Sequence, residues 1–200
     1  MESIAHQIEN AILSLGRSSF VFPTDFASLG TPEAVTKSLQ RLKSSGMIIR
    51  IAHGIYYYPK IDKECGLGII PPTIEEIAYA IAKRDKARIC PTGTFAVNAL
   101  GLSTQVPGNG VFITDGALRK VNIGKGKGIL FKHSDESRNF AYESKTMQLV
   151  VSALRELGQD CVSEDVVNKI RSIVTDVNEA KFKHDIALSP AWIRKILLSI

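Results

Sequence analysis

Between positions 31 and 53 the chain carries side chains that could hold or read a nucleic acid: Thr31, Thr36, Lys37, Gln40, Arg41, Arg50 and His53. Arg and Gln offer donor patterns that match base edges in a major groove, and Lys and Thr hold phosphate oxygens. Positions 37, 40 and 41 fall on one face of a 3.6-residue helix. No comparable pattern supports catalysis. The run Gly124-Lys125-Gly126-Lys127-Gly128 lacks the spacing of a phosphate loop and is followed by a strand, so it reads as a hairpin tip displaying two lysines. Cys90, beside Pro91 and Thr92, reads as a small buried thiol, and His133-Ser134-Asp135-Glu136 as a solvated turn. There is no GxSxG elbow, and no paired carboxylates stand at acid/base spacing.

The elements around positions 31–53 must place those side chains. Thr31 caps a helix that Pro32 opens, and Val35, Leu39 and Leu42 form its apolar stripe. Gly46 ends it. Upstream, Ile4, Ile8, Ala11, Ile12 and Leu15 recur at helical spacing and Gly16 follows. Phe20-Val21-Phe22 is extended, and Pro23 opens a short helix over Thr24–Leu29, with Gly30-Thr31 as the turn. Met47–Ala52 and Ile55–Tyr58 are strand-like, joined by His53-Gly54, and Phe20–Phe22 can add a third strand. Helix, turn, helix and hairpin in this order predict a winged helix-turn-helix over residues 1–64.

Cys65–Pro72 gathers turn formers and reads as a linker. Thr73 and Glu76 make a capping box for a helix ending near Lys83. Ile89–Leu102 reads as a turn and a helix stopped by Gly101. A strand and turn are expected over Val111–Gly116, and strands over Arg119–Ile123 and Gly128–His133. Met147–Leu157, a helix capped by Ser163, a short helix over Lys181–Ala187 and a last one from Ser189-Pro190 complete the chain. The fold class is therefore α+β. The N-terminal winged domain is followed, over residues 72–200, by a small antiparallel sheet and helices.

The 200 residues are 44% hydrophobic, with a net charge of +5. The basic excess lies in the middle: residues 71–145 hold 11 Lys and Arg against 7 Asp and Glu. Arg119, Lys120, Lys125 and Lys127 contribute to it and would attract a polyanion or an acidic protein. Cys65, Cys90 and Cys161 are odd in number and widely spaced, which predicts neither a disulfide framework nor a zinc site. No metal, cofactor or enzymatic activity is expected. No signal peptide or membrane-length apolar run is read, so a cytoplasmic chain is expected.

The run from Phe22-Pro23-Thr24-Asp25-Phe26 through Leu39-Gln40-Arg41-Leu42 to Arg50-Ile51-Ala52-His53-Gly54-Ile55-Tyr56-Tyr57 resembles the N-terminal domain of the AbiE-type antitoxins of abortive-infection systems. Cys90-Pro91-Thr92-Gly93-Thr94-Phe95-Ala96, Leu100-Gly101-Leu102 and the following strands resemble the second domain. The resemblance covers most of residues 3–140. It implies a repressor that binds double-stranded DNA repeats at its own promoter through Thr31, Thr36, Lys37, Gln40, Arg41, Arg50 and His53. It also implies a second domain that opposes a toxin of the nucleotidyltransferase class. The surface of Arg119, Lys120, Lys125 and Lys127 is the candidate for that antitoxin role. Residues after Lys145 match no motif of the family. The alternative is a one-component regulator whose C-terminal domain senses a ligand or dimerises.

Overall fold

The structure, a computed structural model, describes residues 3–62, 66–105, 107–124 and 126–199. It is a mixed α+β fold that divides into two compact units, Met1–Ala80 with Asn122–Gly126, and Ile81–Val121 with Lys127–Ile200. The division falls within a helix, Ile74–Arg84.

The first unit begins with α1 (Ile4–Leu15), capped by the Ser3 hydroxyl and closed at Gly16, where φ is +79°. Ile8 and Ile12 are fully buried. Leu15, which the spacing aligned with them, is 55% exposed, because it is the last helical residue before the chain reverses at Gly16. Strand β1 (Ser19–Val21) leads to a single 3-10 turn, Pro23–Phe26. That turn replaces the helix expected over Thr24–Leu29. The Asp25 carboxylate accepts the Phe22 N–H at 2.8 Å, and this short local bond tightens the chain before a full α-turn can form.

Helix α2 (Pro32–Ser44) starts at Thr31, whose hydroxyl accepts the Ala34 N–H at 3.3 Å. It ends in a Schellman motif: Gly46 N–H donates to Lys43 O, and Met47 N–H to Leu42 O. Gly46 takes φ +77°, which an L side chain rarely adopts. Val35, Leu39 and Leu42 join Ile8, Ile12, Val21, Phe26, Ile48, Tyr56 and Tyr58 in one core. Leu39 is fully buried there, so Leu39→Ala costs about 2–5 kcal/mol.

Strands β2 (Ile49–Ala52) and β3 (Ile55–Tyr58) pair antiparallel, with β1 on the other side of β3. The extended piece at Phe20–Phe22 thus supplies the third strand, paired Phe20 to Tyr57, and their rings lie 4.9 Å apart. The expected linker carries a strand instead. Here β4 (Lys60–Asp62) pairs with β5 (Gly68–Ile70), Ile61 facing Ile69. β-branched residues on both arms outweighed the glycines and prolines that had suggested a linker. Cys65 lies outside the described residues. Helix α3 (Ile74–Arg84) has the reciprocal capping box: Glu76 accepts the Thr73 N–H at 2.7 Å, and Thr73 accepts the Glu76 N–H at 3.1 Å.

The second unit holds β6 (Ile89–Pro91), α4 (Gly93–Ala99), β7 (Asn109–Thr114), the first half of β8 (Arg119–Gly124) and β9 (Lys127–His133). The strands order β6-β7-β9-β8. β6 and β7 are antiparallel, but β7 and β9 are parallel, so the sheet is mixed rather than antiparallel. The chain leaves β7, forms β8 one place further out, and returns with β9 into the gap, which aligns β9 with β7. The turn expected at Ile89-Cys90 is the edge strand β6. Phe95, Phe112 and Phe131 stack through this unit at 5.2 and 6.0 Å.

Helices α5 (Lys145–Leu157), α6 (Glu164–Val174), α7 (Glu179–Leu188) and α8 (Ala191–Leu198) follow. They bury Met147, Val150, Leu154, Ile170, Ile186, Ile193 and Leu197 in a second core. Among the described residues, no helix is long and apolar enough to cross a membrane.

Candidate nucleic-acid interface

Helix α2 divides cleanly. Val35, Ser38, Leu39 and Leu42 are buried, while Thr31, Thr36, Lys37, Gln40 and Arg41 are exposed. The two threonines already have local partners. Thr31 caps the helix, and the Thr36 hydroxyl donates to Pro32 O at 2.7 Å. Lys37, Gln40 and Arg41 make no side-chain hydrogen bond or ion pair among the described residues. Glu33 stands one turn before Lys37, yet the two do not pair. Lys37 and Arg41, four residues apart, place two positive charges on the same ridge, an arrangement that slightly destabilises an isolated helix. The trio of Lys37, Gln40 and Arg41 is thus polar, cationic and without a structural partner among the described residues.

The β2–β3 hairpin brings Arg50 and His53 together, and both are exposed. Arg50 Nε donates to Ala52 O at 3.3 Å and Nη2 to His53 Nδ1 at 3.0 Å. The register breaks between Arg50 and Ala52, a bulge that folds the arginine back over the turn. Gly54 completes the turn at φ +67°. The arginine is thereby held in one orientation with guanidinium hydrogens left over. Arg17, not singled out in the sequence, is held similarly: it donates to Pro59 O at 2.9 Å and lies 4.9 Å over the Tyr58 ring.

The second set of basic residues does not form one surface. Arg119 is ion-paired to Asp85 and lies 5.7 Å over the Phe131 ring. Lys120, the next residue on β8, points to the opposite face of the sheet. Lys127, at the start of β9, is exposed. Lys125 lies outside the described residues.

Cys90, His133 and Arg88 have structural partners. Cys90 is buried, with its sulfur 3.2 Å from the Ser152 hydroxyl and 3.3 Å from Pro91 O. Burial pushes this thiol up to about 11, against the opposing hydrogen bond from Ser152, so the thiolate needed for nucleophilic attack is suppressed. His133 Nδ1 lies 2.7 Å from Gly116 O and Nε2 2.8 Å from Asp135, so both ring nitrogens face acceptors. The Gly116 carbonyl first, and Asp135 second, raise its pKa. Arg88 pairs with Asp115 from 27 residues away, a contact that nothing in the local sequence announces. Among the described residues, no group of three or more His, Cys, Asp or Glu could hold a metal ion.

A family model described as a family of unknown function, DUF6088, matches residues 7–182. No curated protein matches the sequence. Among solved structures, the crystal structure of the RV2827C protein from Mycobacterium tuberculosis is similar in fold, with a TM-score of 0.51 at 12% identity. The match covers 99% of this chain and 82% of that one.

Proposed function

The chain belongs to DUF6088, a family of unknown function, and we propose that it is a duplex-DNA reader: a winged helix-turn-helix repressor of its own promoter and the antitoxin of a toxin–antitoxin pair. Three features support the winged reading: the element order α1, β1, 3-10 turn, α2, β2, β3; the strand order β1-β3-β2; and a capped α2 following the turn at Gly30-Thr31. The observation that carries it is the exposed face of Lys37, Gln40 and Arg41, which has no partner among the described residues. In this reading α2 enters the major groove, where Arg41 and Gln40 meet base edges and Lys37 meets a phosphate. Thr31 and Thr36 offer hydroxyls at the groove margin. Arg50 and His53 reach the flanking backbone from the hairpin.

The antitoxin half rests on the resemblance of residues 3–140 to the AbiE-type antitoxins. The partner would be a toxin of the nucleotidyltransferase class, and the exposed Lys120 and Lys127 are the remaining candidates for its contact. A mobility shift with the DNA upstream of the gene tests the first half. Selective binding that falls steeply with rising salt is expected. An equal shift of unrelated DNA at every salt concentration would overturn it. Growth rescue on co-expression with a neighbouring nucleotidyltransferase-like gene tests the second half, and failure to rescue would remove the antitoxin role while leaving DNA binding intact.

A further inference from the structure

Glu33 is the one acidic residue of α2 and lies in its first turn. It is exposed and makes no side-chain hydrogen bond or ion pair among the described residues. At 3.6 residues per turn it sits roughly 40° from Lys37 and roughly 20° from Gln40 around the helix axis. The buried stripe of Val35, Leu39 and Leu42 runs along the other side. Glu33 therefore stands in the middle of the outward face, not at its margin, and goes wherever Lys37 and Gln40 go.

A carboxylate there works against a general attraction to DNA, because every phosphate repels it. A helix that only held the backbone would gain from a neutral or basic residue at this place. Base edges are different. In the major groove the cytosine N4 and adenine N6 amino groups donate, whereas guanine O6 and N7, adenine N7 and thymine O4 accept. An ionised carboxylate only accepts, so it matches an amino group and is repelled by the rest. Cytosine is the better match, since adenine places its N7 acceptor beside the amino group. The position is also apt: in helix-turn-helix readers the N-terminal residues of the second helix meet the bases. Attraction to one base and repulsion from the others then favour the same sequence.

We propose that Glu33 is a specificity-determining residue, its carboxylate accepting a hydrogen bond from the N4 amino group of one cytosine and excluding the other bases at that position. This rests on the reading of α2 as the helix that enters the major groove. It adds to that reading a residue whose charge opposes binding in general and favours it at one base.

Selection from the duplex upstream of the gene, randomised one position at a time, tests it with the full chain as wild type, Glu33→Ala and Glu33→Gln. Wild-type protein should require cytosine at one position, with a loss of about five- to a hundredfold for a wrong base. Glu33→Ala should lose that preference and bind unrelated DNA more tightly, because a negative charge has left the face. Glu33→Gln should accept adenine there, since an amide pairs with adenine N6 and N7. An acid in the first turn also suits the helix dipole, but that role alone would lower the melting temperature without moving any base preference. N4-methylcytosine at the selected position removes the groove-facing amino hydrogen and leaves the protein untouched. It should weaken wild-type binding as much as a wrong base does. Undiminished binding to N4-methylcytosine would overturn the proposal, as would the wild-type preference persisting in both variants. Wild-type selectivity at other positions with no demand for cytosine removes the role of Glu33 alone. Equal wild-type binding to upstream and unrelated DNA removes the groove reading itself, and the role of Glu33 with it.

Discussion

Nη2 of Arg50 donates to Nδ1 of His53 at 3.0 Å. Arginine has no acceptor, so Nδ1 must accept and the hydrogen of the neutral imidazole sits on Nε2. The hairpin therefore presents a fixed guanidinium and an outward-facing Nε2–H as one unit. Nitrogen-15 NMR should find His53 in the Nε2–H tautomer, and Arg50→Ala should release it to a mixture. In a double-mutant cycle on DNA affinity, Arg50→Ala and His53→Ala should couple by about 0.5–1.5 kcal/mol. Additive losses would mean that the two residues act separately on DNA.

Lys37 and Arg41 should separate affinity from stability. Neither side chain has a partner among the described residues, so Lys37→Ala and Arg41→Ala should leave the melting temperature nearly unchanged. Arg41→Ala should weaken the promoter site by about 1–3 kcal/mol and relax its sequence preference. Lys37→Ala should weaken all sequences alike and lower the salt slope by roughly one. The opposite pattern, unfolding with DNA affinity preserved, would remove α2 from the interface.

Asp185 is fully buried on α7 and accepts the N–H groups of Glu143 and Ser144 at 2.9 and 2.8 Å. It anchors the entrance to α5 from more than forty residues away. Asp185→Ala leaves both donors without an acceptor and should cost on the order of 3 kcal/mol, measured by urea unfolding. Asp185→Asn, which keeps one acceptor oxygen, should cost less. A loss within about 0.5 kcal/mol for Asp185→Ala, the range of ordinary surface changes, would show that water replaces the carboxylate.

The thiols should react very differently. Burial pushes Cys90 up to about 11, whereas Cys161 is exposed. With Cys65 replaced by serine, N-ethylmaleimide at mildly alkaline pH should modify Cys161 in the native protein and Cys90 only after denaturation. Rapid native labelling of Cys90 would contradict its burial against Ser152.

His133 should make the second unit's stability pH-dependent. The Gly116 carbonyl and the Asp135 carboxylate raise its pKa in the folded state. The unfolded chain therefore binds fewer protons than the folded one between the ordinary value near 6.5 and the higher folded value. The stabilisation is complete below 6.5 and is lost as pH rises through the folded value. The difference in melting temperature between wild type and His133→Gln should favour wild type at low pH and shrink toward alkaline pH. A difference independent of pH would assign His133 a purely steric role.

What could be read from the sequence is what neighbouring residues decide. Thr31 and Pro32 start α2, Gly46 ends it, Thr73 and Glu76 cap α3, and His53-Gly54 turns the hairpin, because caps and tight turns close within a few residues. The exposed trio of Lys37, Gln40 and Arg41 followed from the same periodicity. Tertiary structure decided the rest. Only the return of β9 into the gap beside β7 makes that pair parallel. Arg119 reads as a free surface cation until the fold brings Asp85 to it from 34 residues away. Asp185 at α5 and Ser152 at Cys90 are likewise distant in sequence. A carboxylate or guanidinium is equally at home in water or in an ion pair, so its residue type alone does not say which it meets. The packing of strands and helices brings the partner and excludes the water.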